Sequence, residues 1–209
     1  VTGLMWTAKL GKDNERTFTQ ALAGAKTCRV GGHDDWRLPT VKELYSLMDF
    51  NGCITSRTPR PYLDTRFFEF RWGDTAAGNR IIDAQYWSAT QYVGRTMDNQ
   101  PTVFGVNFAD GRIKGYPRDR ARIGGTATHF VRYVRGNPSY GVNKFVDNGD
   151  GTISDLATGL MWTKDDSPSA MSWQQALAWA QQNNAEKYLG HSDWRLPNAK
   201  ELQSIVDYT

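Results

Sequence analysis

The sequence predicts an α+β fold that occurs twice in the chain. The hexapeptide TGLMWT at residues 2–7 returns at 158–163, and DWRLP at 35–39 returns at 193–197. In the first repeat, two helical segments are followed by a run of strand-like segments, which is the order typical of α+β domains. The spacing of roughly 156 residues exceeds the 20–50 residues of solenoid repeats, so we expect whole domains to be duplicated.

The first elements of each repeat are a short strand and a capped helix. The segment 3–7, GLMWT, predicts the strand. Thr17 with Gln20, and Ser172 with Gln175, have the spacing of a capping box, in which each side chain satisfies a free backbone amide. Apolar residues follow each cap at helical spacing. They are Phe18, Ala21, Leu22 and Ala25 in the first repeat, and Trp173, Ala176, Leu177 and Ala180 in the second.

The DWRLP segment leads into a second predicted helix in each repeat. Thr40 with Glu43, and Asn198 with Glu201, are again capping-box pairs. The proline of DWRLP holds the residue before it in an extended conformation. The predicted buried residues of this helix are Leu44, Leu47 and Met48, and in the second repeat Leu202, Ile205 and Val206. The tryptophan and leucine of DWRLP alternate with arginine, which predicts that they are buried and that the motif is scaffold.

Strands follow the two helices of the first repeat. Residues 54–80 are rich in Arg, Pro, Asp and Gly and predict an irregular segment, and residues 81–90 predict a strand. Asp110 and Gly111 lie between two strand-like runs, which is a strong hairpin signal. The alternating segment 129–136 predicts the last strand.

The repeats predict the domain boundaries. We expect 1–136 to be one domain that lacks its first strand, 137–144 to be a linker, and 145–209 to be the N-terminal part of a second domain. The helices of the second part would then lack much of the surface that should cover them. We therefore do not expect 145–209 to fold in isolation.

Charge is unevenly distributed along the chain. Residues 1–136 contain 20 Lys and Arg against 13 Asp and Glu, whereas residues 137–209 contain 5 against 9. Much of the excess lies in 105–136, around the predicted hairpin. Guanidinium groups match sulphate and carboxylate geometry, and several together attract a polyanion. The candidate ligand-binding residues are Arg112, Lys114, Tyr116, Arg118, Arg120 and Arg122, of which the first three share one face of a strand.

These ordered motifs resemble the Lcl C-terminal domain family. The resemblance rests on TGLMWT, GGHDDWRLPTVKEL, YWSAT, FADGRI and FVRYVRG, and on the lead-in FVDNGDGTISDLATGLMW of the second repeat. It implies a C-type-lectin-like fold, a secreted or cell-surface location, and adhesion to sulphated polysaccharides of the glycosaminoglycan type. Because of this context we expect an anionic polysaccharide, rather than nucleic acid, as the ligand of the arginines.

The chain contains two cysteines, Cys28 and Cys53. A disulfide between them would close a loop of about 25 residues and contribute about 3 kcal/mol, so this pair is a candidate disulfide. Members of the resembled family often have a cysteine in the last strand, where this chain has Tyr133. Cys28 is therefore expected to pair with Cys53 or to stay free.

The WRLPT segment also resembles the formylglycine-generating enzyme family, which uses cysteines late in its domain together with copper. No cysteine follows Cys53 here. His33 is followed by Asp34 and Asp35, and His191 by Ser192 and Asp193, but sequence adjacency does not establish a catalytic triad. We expect no enzymatic activity and no cofactor, with an enzyme of the formylglycine-generating type as a third hypothesis.

The lead-in DNGDGTISD at 147–155 has some features of a calcium loop. An EF-hand alignment places Val146 at the first ligand position and Ala157 at the bidentate glutamate, so the pattern fails. Its Asn-Gly and Asp-Gly pairs predict a β-hairpin instead. We expect no metal site, and the candidate ligands, if one exists, are Asp147, Asp150 and Asp155.

Our leading hypothesis is thus an extracellular or bacterial cell-surface module that binds an anionic polysaccharide or another host or cell-surface ligand without catalysis. An alternative is a structural subunit of a surface filament or stalk, self-associating through the repeats and their opposite charges. No stretch approaches the ~18 consecutive apolar residues of a membrane-spanning helix, so no transmembrane segment is expected.

Overall fold

The structure, a computed structural model, describes residues 2–9, 15–120 and 125–208 of the 209-residue chain. The chain forms two compact units. One comprises residues 1–140 together with 207–209, and the other comprises 141–206. Helices and antiparallel sheets occur in the same chain, which confirms the predicted α+β class.

The first unit contains both predicted helices and a series of strands. Its helices are α1 (Phe18–Thr27) and α2 (Val41–Tyr45). Its strands are β1 (Leu4–Trp6), β2 (Glu15–Arg16), β3 (Gln85–Thr96), β4 (Gln100–Asn107), β5 (Arg112–Pro117), β6 (His129–Phe130) and β7 (Val134–Gly136). Both predicted capping boxes are confirmed, with the Thr17 and Thr40 hydroxyls accepting from the amides of Gln20 and Glu43.

A five-stranded sheet in the order β2-β6-β3-β4-β5 forms the centre of this unit. The pairs β3–β4 and β4–β5 are antiparallel, whereas β6 runs parallel to β3. A second pairing joins β1 to β7, with Trp6 opposite Val134. The two ends of the unit are therefore held together by backbone hydrogen bonds.

Both faces of the central sheet are covered by apolar side chains. Tyr86 and Trp87, adjacent on β3, point to opposite faces and are completely buried. Tyr86 packs in a cluster with Leu44 of α2, and Trp87 packs in a cluster with Phe18 of α1. The Trp87 indole N–H donates to the carbonyl of Arg16 at 2.7 Å, so the buried ring has its polar partner.

Three features of the first unit differ from what the sequence predicted. The strand predicted at 81–90 begins at Gln85 and continues to Thr96, where a turn through left-handed residues 97–99 leads into β4. The single strand predicted at 129–136 is divided into β6 and β7, and Arg132 between them is completely buried. Leu22 is 41% exposed and does not belong to the buried face of α1.

The hairpin predicted at Asp110 and Gly111 is confirmed. Gly111 has φ of +74°, a conformation that favours glycine. A Cβ at this position would lie 2.8 Å from the Tyr62 ring, so glycine is required sterically as well.

The second unit contains a three-stranded sheet and two helices. Its elements are β8 (Phe145–Asp147), β9 (Thr152–Asp155), β10 (Leu160–Thr163), α3 (Trp173–Ala185) and α4 (Ala199–Ser204). The hairpin predicted from the Asn-Gly and Asp-Gly pairs is confirmed as β8–β9. The capping boxes at Ser172 and Asn198 are confirmed too.

Several side chains of the apolar helix faces in the second unit are exposed, as expected for helices that lack much of their covering surface, whereas Ala176 and Ala180 are half-buried. Trp173 of α3 is 72% exposed, whereas Phe18, its counterpart in the first repeat, is 6% exposed. The predicted stripe of Leu202, Ile205 and Val206 is 49%, 39% and 41% exposed. The helices formed as predicted, but within the described residues no strands like β3 and β4 cover their apolar faces.

Candidate polyanion-binding surface

The basic residues predicted to bind a polyanion lie on and after β5. This strand is at one end of the sheet order, and it pairs on one side with β4. Its register places Lys114 opposite Gly105 and Tyr116 opposite Val103. The alternation of a strand puts Arg112, Lys114 and Tyr116 on one face, as the sequence predicted.

Tyr116 faces the interior of the protein. Its ring packs edge-on against the His129 ring at 4.7 Å and joins the apolar cluster that contains Trp87. Burial raises the pKa of the Tyr116 hydroxyl above its usual range and lowers the pKa of His129 to about 4. Tyr116 is therefore a partly buried residue that packs against the core, and its ring is directed away from a ligand at the surface.

Two of the candidate cations are bound to neighbouring carboxylates. The Lys114 ammonium donates to Asp110 in the hairpin turn, and both side chains are mostly buried. Arg118 donates through Nε and Nη2 to the two carboxylate oxygens of Asp119, each at 3.0 Å. These pairs reduce the charge that the strand presents to a ligand.

Arg112 and Arg120 are the members of the candidate set whose guanidinium groups have no carboxylate partner among the described residues. Both are exposed, and neither forms an ion pair with any residue that the structure describes. The backbone of Arg120 forms an isolated bridge with Thr126, which anchors the segment after β5. Arg122 lies outside the described residues.

Two further arginines of the basic segment 105–136 are structural. Arg132 is completely buried and donates to the carbonyl oxygens of Thr7, Ala8 at 3.1 Å and Glu69 at 2.9 Å. Its guanidinium lies 4.8 Å from the centre of the Phe68 ring, and burial lowers its pKa. Arg135 donates to Asp35 at 2.6 Å. The charge excess read from the sequence therefore overestimates the basic surface.

Sequence reasoning missed an ion pair between the DWRLP segment and the helix that follows it. Arg37 forms two hydrogen bonds to the carboxylate of Glu43, at 2.6 and 2.5 Å, and Glu43 is only 1% exposed. The same carboxylate accepts from the backbone amide of Thr40. Arg195 and Glu201 repeat this pair in the second unit, and hydrogen bonds from Arg195 lower the pKa of Glu201 to about 2. The six-residue spacing, present in both repeats, was the available signal.

The candidate disulfide is not formed. Cys28 and Cys53 are both free and half-buried. Cys28 caps the C-terminus of α1, whereas Cys53 lies just before the irregular segment 54–80 and is bridged through its backbone to Arg60. Tyr133, in the place where the resembled family often has a cysteine, donates its hydroxyl to the carbonyl of Ala21 at 3.0 Å. That hydrogen bond links the last segment of the unit to α1 without a disulfide.

The candidate metal ligands of the second unit bind protein groups. Asp155 accepts from Asn143 and from the amide of Lys144, Asp147 accepts from Lys164, and Asp150 accepts from Thr152. No group of three or more His, Cys, Asp or Glu side chains suited to a metal occurs within residues 2–9, 15–120 and 125–208. His33 and His191 each lie beside a tryptophan of the DWRLP segment.

Fold and surface together define an α+β protein in which Arg112, on the end strand of a sheet, and Arg120, shortly after it, are exposed and form no ion pair within the described residues. The family model described as the Lcl C-terminal domain matches residues 1–135 and 151–209. The chain therefore belongs to the Lcl C-terminal domain family, as its motifs predicted. Family membership indicates a surface-associated protein.

Searches of the curated proteins and of the solved structures found no match. Within the described residues, no helix has the length and apolarity needed to cross a membrane.

Proposed function

We propose that the protein is an extracellular, non-enzymatic binding module of the C-type-lectin-like type, and that its ligand is an anionic, sulphated polysaccharide. The observation that supports the proposal is that the guanidinium groups of Arg112 and Arg120 are exposed and form no ion pair within the described residues. Their neighbours Lys114, Arg118, Arg132 and Arg135 are occupied by protein partners. Arg112 on this strand and Arg120 just after it are thus available to an outside anion.

The spacing of these arginines favours an extended polymer over a small ion. From Arg112 to the end of β5 at Pro117 the chain rises about 17 Å, at ~3.3 Å per residue. Arg120 lies three residues farther along. One sulphate or phosphate ion does not reach both guanidinium groups, whereas consecutive sulphates of a polysaccharide do. Surface location favours a polysaccharide over nucleic acid.

Binding of a heparin-type polysaccharide, measured by titration calorimetry at several salt concentrations, tests this proposal. The double variant Arg112→Ala/Arg120→Ala should bind about 2- to 30-fold more weakly, since exposed charge pairs contribute about 0.2–1 kcal/mol each. It should also show a shallower dependence on salt, because fewer counterions are released. Arg66→Ala is the matched control: Arg66 is also exposed, but it is paired with Asp64.

An unchanged affinity of the double variant, or no binding by the unmodified chain at low salt, would exclude this ligand class. The alternative of a filament or stalk subunit is favoured by one observation, the exposed apolar helix faces of the second unit. Sedimentation velocity at increasing protein concentration tests it: a chain that sediments as a monomer throughout contradicts the filament hypothesis.

A further inference from the structure

A basic loop lies next to the hairpin that carries Arg112. The loop comprises residues 53–60 and is followed closely by Tyr62, whose ring contacts the hairpin turn. It contains Arg57 and Arg60, and no Asp or Glu occurs anywhere in residues 50–63. Both arginine side chains are exposed, and neither forms an ion pair with a residue that the structure describes. The loop therefore presents two positive charges to the solvent.

The backbone holds the basic loop in a defined shape. The N–H groups of Cys53 and Arg60 each donate to the carbonyl of the other residue at 2.9 Å, which closes the loop. Pro59 and Pro61 stand on either side of Arg60. A proline fixes its own φ and keeps the residue before it extended. A ligand that binds to this preformed loop pays less conformational entropy than one that must order a flexible segment.

The Tyr62 side chain connects the basic loop to the start of β5. Its ring packs against Gly111, where an added Cβ would lie 2.8 Å away, and its amide donates to the carbonyl of Phe108 at 2.7 Å. Arg60 is two residues from this contact on one side, and Arg112 is one residue from it on the other. Two residues of chain span about 7 Å at most. Arg60 and Arg112 therefore lie close together at the same end of the hairpin.

The composition of the basic loop suits a sulphated saccharide. Guanidinium groups match the geometry of sulphate and carboxylate. Thr55, Ser56 and Thr58 are exposed as well, and their hydroxyls can donate to and accept from the hydroxyls of a sugar. No aromatic residue occurs within 53–60, so the loop offers no ring on which a nucleic acid base could stack. These residues favour a saccharide over nucleic acid.

We infer that the basic loop is a second part of the polyanion-binding surface, and that one sulphated polysaccharide chain continues from Arg112 onto Arg60 and Arg57. The inference rests on the proposed function, because it concerns the same ligand. Arg120 marks the opposite end of the path, beyond the end of β5. Cations without a carboxylate partner thus lie at both ends of the strand, and the affinity for a long polysaccharide depends on contacts at both.

Titration calorimetry with a heparin-type polysaccharide tests this inference. The loop variant Arg57→Ala/Arg60→Ala should bind about 2- to 30-fold more weakly than the unmodified chain, with a shallower dependence on salt. Its loop should keep its shape, because the bridge between Cys53 and Arg60 uses backbone atoms only. Lys26→Ala/Arg29→Ala is the matched control. It removes two exposed cations from α1 and the residues just after it, on the other side of the central sheet, and should bind as the unmodified chain does.

The outcomes separate this inference from the proposed function. An unmodified chain that binds no polysaccharide at low salt excludes both. Binding that weakens in Arg112→Ala/Arg120→Ala but not in the loop variant overturns the inference alone. A loop variant that binds fewer short heparin-type oligosaccharides per protein, at unchanged affinity, also overturns it, because the loop would then be a separate site. Single-stranded DNA that binds as tightly as heparin, and loses as much affinity in the loop variant, would overturn the preference for a saccharide.

Discussion

Replacement of the buried Arg132 by alanine is expected to destabilise the first unit by about 3 kcal/mol. The carbonyl of Thr7, a buried residue, would lose its charged donor, and an unsatisfied buried acceptor costs about 1–3 kcal/mol. The carbonyls of Ala8 and Glu69 belong to exposed residues, where water replaces the lost donor. Loss of the contact with the Phe68 ring adds up to about 2 kcal/mol.

Urea unfolding followed by tryptophan fluorescence measures this change. With an m-value of about 2 kcal/mol per molar urea, a loss of 3 kcal/mol lowers the midpoint by about 1.5 M. Arg132→Lys keeps the charge but lacks the planar guanidinium group that reaches several carbonyls. Its urea midpoint should therefore lie between those of the unmodified chain and of Arg132→Ala. Because Arg112 is exposed, Arg112→Ala should change the free energy of unfolding by less than about 0.5 kcal/mol.

A result for Arg132→Ala within 0.5 kcal/mol of the unmodified chain would refute this reasoning, because it would mean that the guanidinium contributes no net stabilisation. Folded Arg132→Lys protein should bind polysaccharide as the unmodified chain does. A loss of binding in that variant would show that the guanidinium group of Arg132 contacts the ligand and that its burial is not permanent.

Two further predictions follow from titrating groups. The folded-state pKa of His129, about 4, lies below its ordinary value of 6.5, so the unfolded chain binds more protons between these values and stability should fall as pH drops from 6.5 to 4. Urea midpoints measured across this range should show a weaker decline in His129→Gln, and an identical decline would contradict the prediction. Glu201, with a pKa of about 2 against an ordinary 4.5, should stabilise the second unit above pH 4.5 and lose that effect as pH falls to 2. Carboxyl NMR titration of Arg195→Ala should return the Glu201 pKa toward 4.5, and a pKa that stays near 2 would contradict the assigned cause.

Local chemistry could be predicted from the sequence where a few neighbouring residues determine the structure. The caps at Thr17 and Thr40 formed as expected, since a capping box needs only residues three apart. The turn at Gly111 formed for a similar reason, because its left-handed backbone favours glycine. The α+β class followed from the order of such elements.

Long-range placement could not be predicted in the same way. Arg132 looked like one more surface cation, and its burial depends on carbonyls that lie more than 60 residues away in sequence. Tyr116 shares a strand face with Lys114 as predicted. Its ring, however, packs against His129, which lies on another strand, β6. The exposure of Trp173 depends on what covers α3, so the pattern within that helix does not encode it, and only the comparison of the two repeats predicted that its face would lack a cover.

The position of Arg112 and Lys114 on an end strand has a consequence for solubility. β5 has one side unpaired within the described residues, and a row of free amides and carbonyls there is a template for pairing with other chains. Charged side chains on such an edge disfavour that pairing. Arg112, one of the two arginines proposed to attract a polysaccharide, therefore also protects the protein from aggregation. Neutralising Arg112 and Lys114 together should lower the concentration at which the purified protein precipitates.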